Sequence, residues 1–101
     1  MPPRPLQITA FTRPNSKFAK MVRRLPSRMQ RELERVIDEL CAGELAPGRN
    51  LERLRIGDNF YSVRLNRNFR FVFSILDDGI GWAIAVGPHD TAYEVAERSQ
   101  Q

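Results

Sequence analysis

Apolar residues in this chain follow helical spacing in the first half and strand alternation in the second. The alternation LQITAF over 6–11 predicts a first strand that runs into polar turn residues. Asn15 then stands at a helix-cap position ahead of Phe18, Met21, Val22 and Leu25, and Pro26 ends that helix. Ser27 and Gln30 make a capping-box pattern. Behind them Met29, Leu33, Val36, Ile37 and Leu40 form the apolar stripe of a second helix, which Gly43 stops. The other face of that helix carries Arg28, Arg31, Glu32, Glu34, Arg35, Asp38 and Glu39. Intrahelical pairing accounts for so mixed a set as well as ligand binding does.

After an irregular loop, GELAPGRN (43–50), three runs read as strands: FYSVRL (60–65), FRFVFSIL (69–76) and IGWAIAV (80–86). Asn66-Arg67-Asn68 and Asp77-Asp78-Gly79 supply the turn residues between them. The tail TAYEVAER predicts a last helical turn or two, with Asp90 as its cap. The order is β-α-α-β-β-β with a short C-terminal helical tail. This describes one α+β domain over 1–101, an antiparallel sheet packed on two N-terminal helices.

The first hairpin has two possible registers. A loop at 66–68 pairs Leu65 with Phe69, Val63 with Phe71 and Tyr61 with Phe73, so one face is wholly apolar. The other face then pairs Arg64 with Arg70, Ser62 with Val72 and Phe60 with Ser74. A shorter loop of Arg67-Asn68 would put Leu65 opposite Arg70 and mix the faces, so the longer loop is favoured. Like charges directly opposite are destabilising. Apposed arginines therefore call for an anion between them, for separate carboxylates such as Glu52 or Asp58, or for side chains that bend away into water. On the last strand Trp82 shares a face with Ile80, Ile84 and Val86 and reads as core. The opposite face, Gly81, Ala83, Ala85 and Gly87, is small enough to admit a backbone or a ligand.

At 101 residues the chain supports one core. Its basic residues comprise 14 Arg and 2 Lys, and Arg carries the planar fork that fits phosphate oxygens in pairs. Residues 1–35 have a net charge of +7 and residues 36–101 one of −3. A solvated helix surface or an anionic partner explains this asymmetry equally well. Cys41 is the only cysteine and His89 the only histidine, so neither an intramolecular disulfide nor a structural zinc site is expected. Cys41 sits on the apolar stripe and reads as a small core residue. MPPRPLQIT has no apolar signal region, and no apolar run is long enough to span a membrane. The expectation is a cytoplasmic protein with no membrane partner.

His89 is the main candidate for proton transfer. It lies past the last strand in Gly87-Pro88-His89-Asp90, with Tyr93 within about one helical turn. A surface histidine and a capping aspartate are the plainer alternatives.

The run GRNLERLRIGDNFYSVRLNRNFRFVF resembles the RelE/ParE superfamily of type II toxin–antitoxin systems. The matching pieces are Leu51-Glu52-Arg53-Leu54, Gly57, Tyr61-Ser62-Val63-Arg64 and Phe69-Arg70-Phe71. The ending AVGPHDTAYEVAER is similar to the family's last strand and tail. The resemblance implies a toxin that a cognate antitoxin wraps and neutralises, with no cofactor and no metal. It also implies one of two activities. RelE-like members cleave mRNA on the ribosome, whereas ParE-like members inhibit DNA gyrase without enzymatic action. For the nuclease it implies His89, Tyr93, Arg64 and Arg70 as catalytic residues, with Arg53, Arg55 and Arg67 on the RNA backbone. This chain departs from the pattern at Ala83 and Ala85, where some nuclease members carry a basic residue.

Overall fold

The computed structural model describes residues 8–57, 59–76 and 78–99. Its elements are β1 (Ala10–Phe11), α1 (Ser16–Arg23), α2 (Ser27–Ala42), β2 (Glu52–Arg53), β3 (Phe60–Arg64), β4 (Phe69–Ile75), β5 (Ile80–Pro88) and α3 (His89–Arg98). They form an α+β fold around a five-stranded sheet of order β1-β5-β4-β3-β2. The sheet is mixed, because β1 pairs parallel to β5 while the other pairs are antiparallel. The expected first strand is only Ala10–Phe11, and its residues 6 and 7 lie outside the described residues. The edge strand β2 has no apolar alternation, so periodicity did not reveal it; register alone places Glu52 opposite Ser62 and Arg53 opposite Tyr61.

The β3–β4 hairpin takes the expected register, with Tyr61 opposite Phe73, Val63 opposite Phe71 and Arg64 opposite Arg70. Its turn is tied by Asn66, whose Oδ1 accepts from the amides of Asn68 (2.8 Å) and Phe69 (2.9 Å). One sheet face therefore presents Val63, Leu65, Phe71, Phe73 and Val86 to Phe18, Leu25, Met29, Leu33, Val36 and Leu40 of the α1–α2 layer. Phe11, Phe18, Phe71 and Phe73 meet at ring separations of 5.3–5.9 Å in tilted and edge geometries. The opposite face, with Phe60, Val72, Ile84 and Ala85, is covered by α3 through Ala92 and Ala96, small residues one turn apart.

The helix ends follow the sequence in part. Asn15 Oδ1 accepts from the Phe18 amide at 2.8 Å, and Gly43 closes α2 in the left-handed conformation. The Ser27/Gln30 capping box does not form. Pro26 occupies the cap position with no side-chain bond, and the Gln30 side-chain Nε2 instead donates to the Leu25 carbonyl at 3.0 Å. Asp90 is not a cap either, since Pro88 stands at the cap and α3 begins at His89. The tail is longer than expected, at 10 residues of helix.

Two core assignments are corrected. Cys41 is exposed, because it lies about 100° round the helix from buried Leu40. Trp82 is 40% exposed. The cause is an irregularity in β5: Val72 pairs with Ala85 but Phe73 pairs with Ala83, so Ile84 is skipped. The skip shifts the alternation by one residue. Ala83 and Val86 face the α1–α2 core, and Ile84 and Ala85 face α3.

Gly81 is where β1 closes against the sheet. A Cβ there would lie 2.6–2.9 Å from three atoms of the Phe11 ring. Replacing Gly81 by Val is expected to lower stability by about 1–3 kcal/mol through overpacking, read as a lower urea midpoint. An unchanged midpoint would mean that β1 contributes little to the fold.

Candidate functional site

The hairpin register sets a row across the α3 face of the sheet. Arg64 lies opposite Arg70, and Arg70 lies opposite Gly87. Two residues beyond Gly87, β5 runs directly into α3 at His89, whose amide donates to the Asn68 carbonyl at 2.9 Å. Strand pairing and the β5–α3 junction thus bring Arg64, Arg70 and His89 to one end of the molecule.

Arg70 is anchored by the turn beneath it. Its Nη1 donates to the carbonyls of Asn66 (3.0 Å), Arg67 (3.1 Å) and Phe69 (3.1 Å). A guanidinium has five N–H donors, so Nε and Nη2 remain for another acceptor. Arg64 is half-buried, and its Nε is buried with no hydrogen-bond partner among the described residues. Neither arginine pairs with a carboxylate among the described residues. Of the two suggested carboxylates, Glu52 instead accepts from the Asn50 side chain at 2.9 Å, and Asp58 lies outside the described residues. The Arg64 Nε is closed off from solvent, so the donors open to an anion arriving from outside are the free Nε and Nη2 of Arg70.

His89 and Tyr93 are in contact, with ring centroids 4.4 Å apart and edge-on. His89 Nδ1 lies 2.9 Å from Asp90 Oδ1. A carboxylate can only accept, so Nδ1 carries the proton and Nε2 is left for chemistry. The pair is solvent-exposed, so its contribution is orientation rather than stability. The Tyr93 hydroxyl is 3.0 Å from Ser62 Oγ, on the same face of β3 as Arg64 and two residues from it. Tyr93 therefore bridges α3 to the arginine strand. No side chain caps α3, whose first turn carries the exposed Asp90 carboxylate and gives its His89 amide to the Asn68 carbonyl.

The remaining sequence-predicted residues are dispersed. Arg67 sits at the hairpin tip and is exposed. Arg53 is opposite Tyr61, whose side chain lies on the α1–α2 face, so Arg53 does not join the arginine row. Arg55 lies in the turn after β2 and is exposed. At the far end of the sheet, Trp82, Phe60, Leu76 and Asn59 line an open depression of about 560 Å³ that takes in none of the predicted site residues.

Comparison by sequence finds no matching family model and no matching curated protein. Among solved structures, the fold is similar to a chain of the RelB-RelE antitoxin-toxin complex from Methanococcus jannaschii. The TM-score is 0.60 at 17% identity, over 79% of this chain and 93% of that one.

Sequence reasoning missed Arg49, which sits in a loop with no periodicity to mark it. Arg49 is 8% exposed and bonds Glu32 at 3.0 Å and Glu39 through two contacts of 3.0 Å. Its Nη1 also donates to the carbonyls of Arg64 and Leu65 (both 3.3 Å), and the Arg64 amide donates back to the Arg49 carbonyl at 2.7 Å. The clamp ties α2 to the end of β3, where the arginine row begins. The only signal in the sequence was the Glu32/Glu39 pair, two turns apart on one helix face.

The Arg49 hydrogen bond holds the Glu39 carboxyl below its ordinary value of 4.5, against the upward push of burial. A carboxyl lowered in the folded state stabilises fully above 4.5, and this is lost as pH falls through the lowered value. Replacing Arg49 by Met is expected to cost about 2–4 kcal/mol near neutral pH, because it strands two half-buried carboxylates. The gap to the unsubstituted protein should close on acidification below 4.5. Urea melts across pH check this, and a gap that does not vary with pH would contradict the ionic role of the clamp.

Proposed function

We propose that this protein is the toxin of a toxin–antitoxin pair and an endoribonuclease that cleaves mRNA on the ribosome without a metal. The observation that carries the reading is the arginine row Arg64–Arg70 ending beside His89 and Tyr93. Likeness of fold to a chain of an antitoxin-toxin complex supports the toxin role. It does not choose the chemistry, since one fold hosts several activities.

RNA cleavage next to a 2′-hydroxyl needs three things. The hydroxyl must lose its proton as O2′ bonds to phosphorus, the phosphorane charge must be stabilised, and O5′ must gain a proton as the P–O5′ bond breaks. The products are a 2′,3′-cyclic phosphate and a 5′-hydroxyl. His89 Nε2 takes the 2′-hydroxyl proton as O2′ bonds to phosphorus and, as the imidazolium, returns it to O5′ as the P–O5′ bond breaks, with Asp90 fixing the ring and Tyr93 assisting. Arg70 Nη2 and Nε take the phosphate, with Arg64 as the second cation. Arg67 touches the backbone at the hairpin tip, while Arg53 and Arg55 would reach only a longer strand or ribosomal RNA. The cognate antitoxin would bring an acidic segment over the basic face.

A second reading is a non-enzymatic inhibitor of DNA gyrase. It draws on the α1–α2 surface, where Arg23, Arg24 and Arg28 are exposed and have no carboxylate partner among the described residues.

The test is to express the chain in a translating extract and map mRNA 5′ ends. His89→Ala should lower cleavage ~10²–10⁴-fold without moving the unfolding midpoint, since the side chain is 49% exposed. Undiminished cutting by that variant would remove His89 from the mechanism. Growth arrest without cuts, abolished by charge reversal at Arg23, Arg24 and Arg28, would favour gyrase.

A further inference from the structure

Past Gly81, β5 has no strand beside it on the β1 side among the described residues, because β1 pairs only with Ile80 and Gly81. The last turn of α1 and the first turn of α3 flank that open edge and leave a cleft of about 170 Å³ between them. Its floor is apolar, formed by Met21, Leu25, Phe69 and Val86. Arg24 and Thr91 stand at its rim, and both are exposed. The remaining wall is Gly87-Pro88, which runs into His89, and Phe69 is the neighbour of Arg70. Gly87 lies opposite Arg70 and Pro88 precedes His89, so the cleft borders both halves of the candidate site along β5.

Its chemistry is that of a slot for a flat ring with a polar edge. The volume suits one ring system rather than a folded ligand, and the floor offers no polar side chain. Arg24 has no carboxylate partner among the described residues. Lys17 and Lys20 of α1 and Arg24 at its C-cap recur at spacings of 3 and 4 on one helix face, with no acidic residue in the first turn. This cationic line leads into the cleft, as a polyanionic strand would require. A guanidinium only donates hydrogen bonds. Guanine presents two adjacent acceptors, O6 and N7, whereas adenine places a donor beside its N7.

We propose that the α1–α3 cleft is a base subsite that takes an unpaired guanine of the RNA, next to the phosphate held by Arg70. This rests on the nuclease reading above. Phe69 and Met21 would contact the ring faces, Arg24 would bind O6 and N7, and Thr91 would close the rim.

The test has a binding arm and a cleavage arm. In the first, the full chain with labelled methyl groups is titrated with 5′-GMP and with 5′-CMP. GMP should move the Met21, Leu25, Val86 and Thr91 methyl signals saturably, with CMP at least tenfold weaker. Arg24→Gln should weaken GMP binding roughly tenfold or more. Methyl signals that GMP leaves in place, or moves no more than CMP does, would overturn the subsite. In the second arm, cut sites are mapped for the unsubstituted chain and for Thr91→Trp, which fills the rim of the cleft from an exposed position. Guanine preference beside the cut should fall in the variant, and a preference equal to that of the unsubstituted chain would overturn the subsite. The two readings fail separately. GMP binding at the cleft without any RNA cutting keeps the subsite and removes the nuclease. Cutting that depends on His89, with no guanine preference, keeps the nuclease and removes the subsite.

Discussion

The register of the β3–β4 hairpin is the constraint on which the rest of the molecule depends. Side chains alternate with a period of 2 along a strand, so a slip of one residue would turn every apolar residue of β3 to the wrong face. The observed register sends Tyr61, Val63, Phe71 and Phe73 to the helix layer, where they meet Phe11 and Phe18. The same register forces Arg64 opposite Arg70 on the other face. Core formation therefore creates the cationic row, and the hydrophobic effect of burying four large side chains outweighs the repulsion of one arginine pair. The Arg49 clamp and the Asn66 turn both hold the turn end of this hairpin, where Arg64 and Arg70 meet.

Much of this was legible in the sequence because it depends on local pattern. Sorting the faces of 60–75 required only the alternation and the loop length, and the caps at Asn15 and Gly43 required only local backbone chemistry. What was not legible depends on distant partners. Trp82 and Ile84 alternate correctly on paper, but β5 skips Ile84 against β4, and nothing within IGWAIAV announces the skip. The parallel pairing of β1 joins residues about seventy positions apart, and the short β2 follows β3 with no apolar code of its own. Arg49 reads as one more loop cation until Glu32, Glu39 and two carbonyls converge on it. At the site, His89 and Tyr93 were expected within a turn and are in contact, whereas Arg53 lies on an unanticipated strand, on the face away from Arg64 and Arg70.

The arrangement at the α3 end of the sheet is more suited to an arriving anion than to internal pairing. Arg70 is braced by carbonyls rather than neutralised by a carboxylate, and Arg64 keeps a buried donor without a partner. The β5–α3 junction adds an uncapped helix start and an imidazole whose Nδ1 is engaged. Strand pairing and the turn fix these donors in place before any ligand arrives. A dedicated gyrase-binding surface would not require these features to meet.

The most direct test is a contact map of the full chain with a short oligoribonucleotide whose reactive 2′-hydroxyl has been removed, read from side-chain and methyl resonances at equilibrium. The account predicts that the Arg64, Arg70, His89 and Tyr93 signals shift together and saturate with one affinity, while Trp82 at the far end of the sheet stays in place. Shifts confined to Arg28, Arg31 and the exposed face of α2, with the Arg70 and His89 signals unmoved, would contradict it.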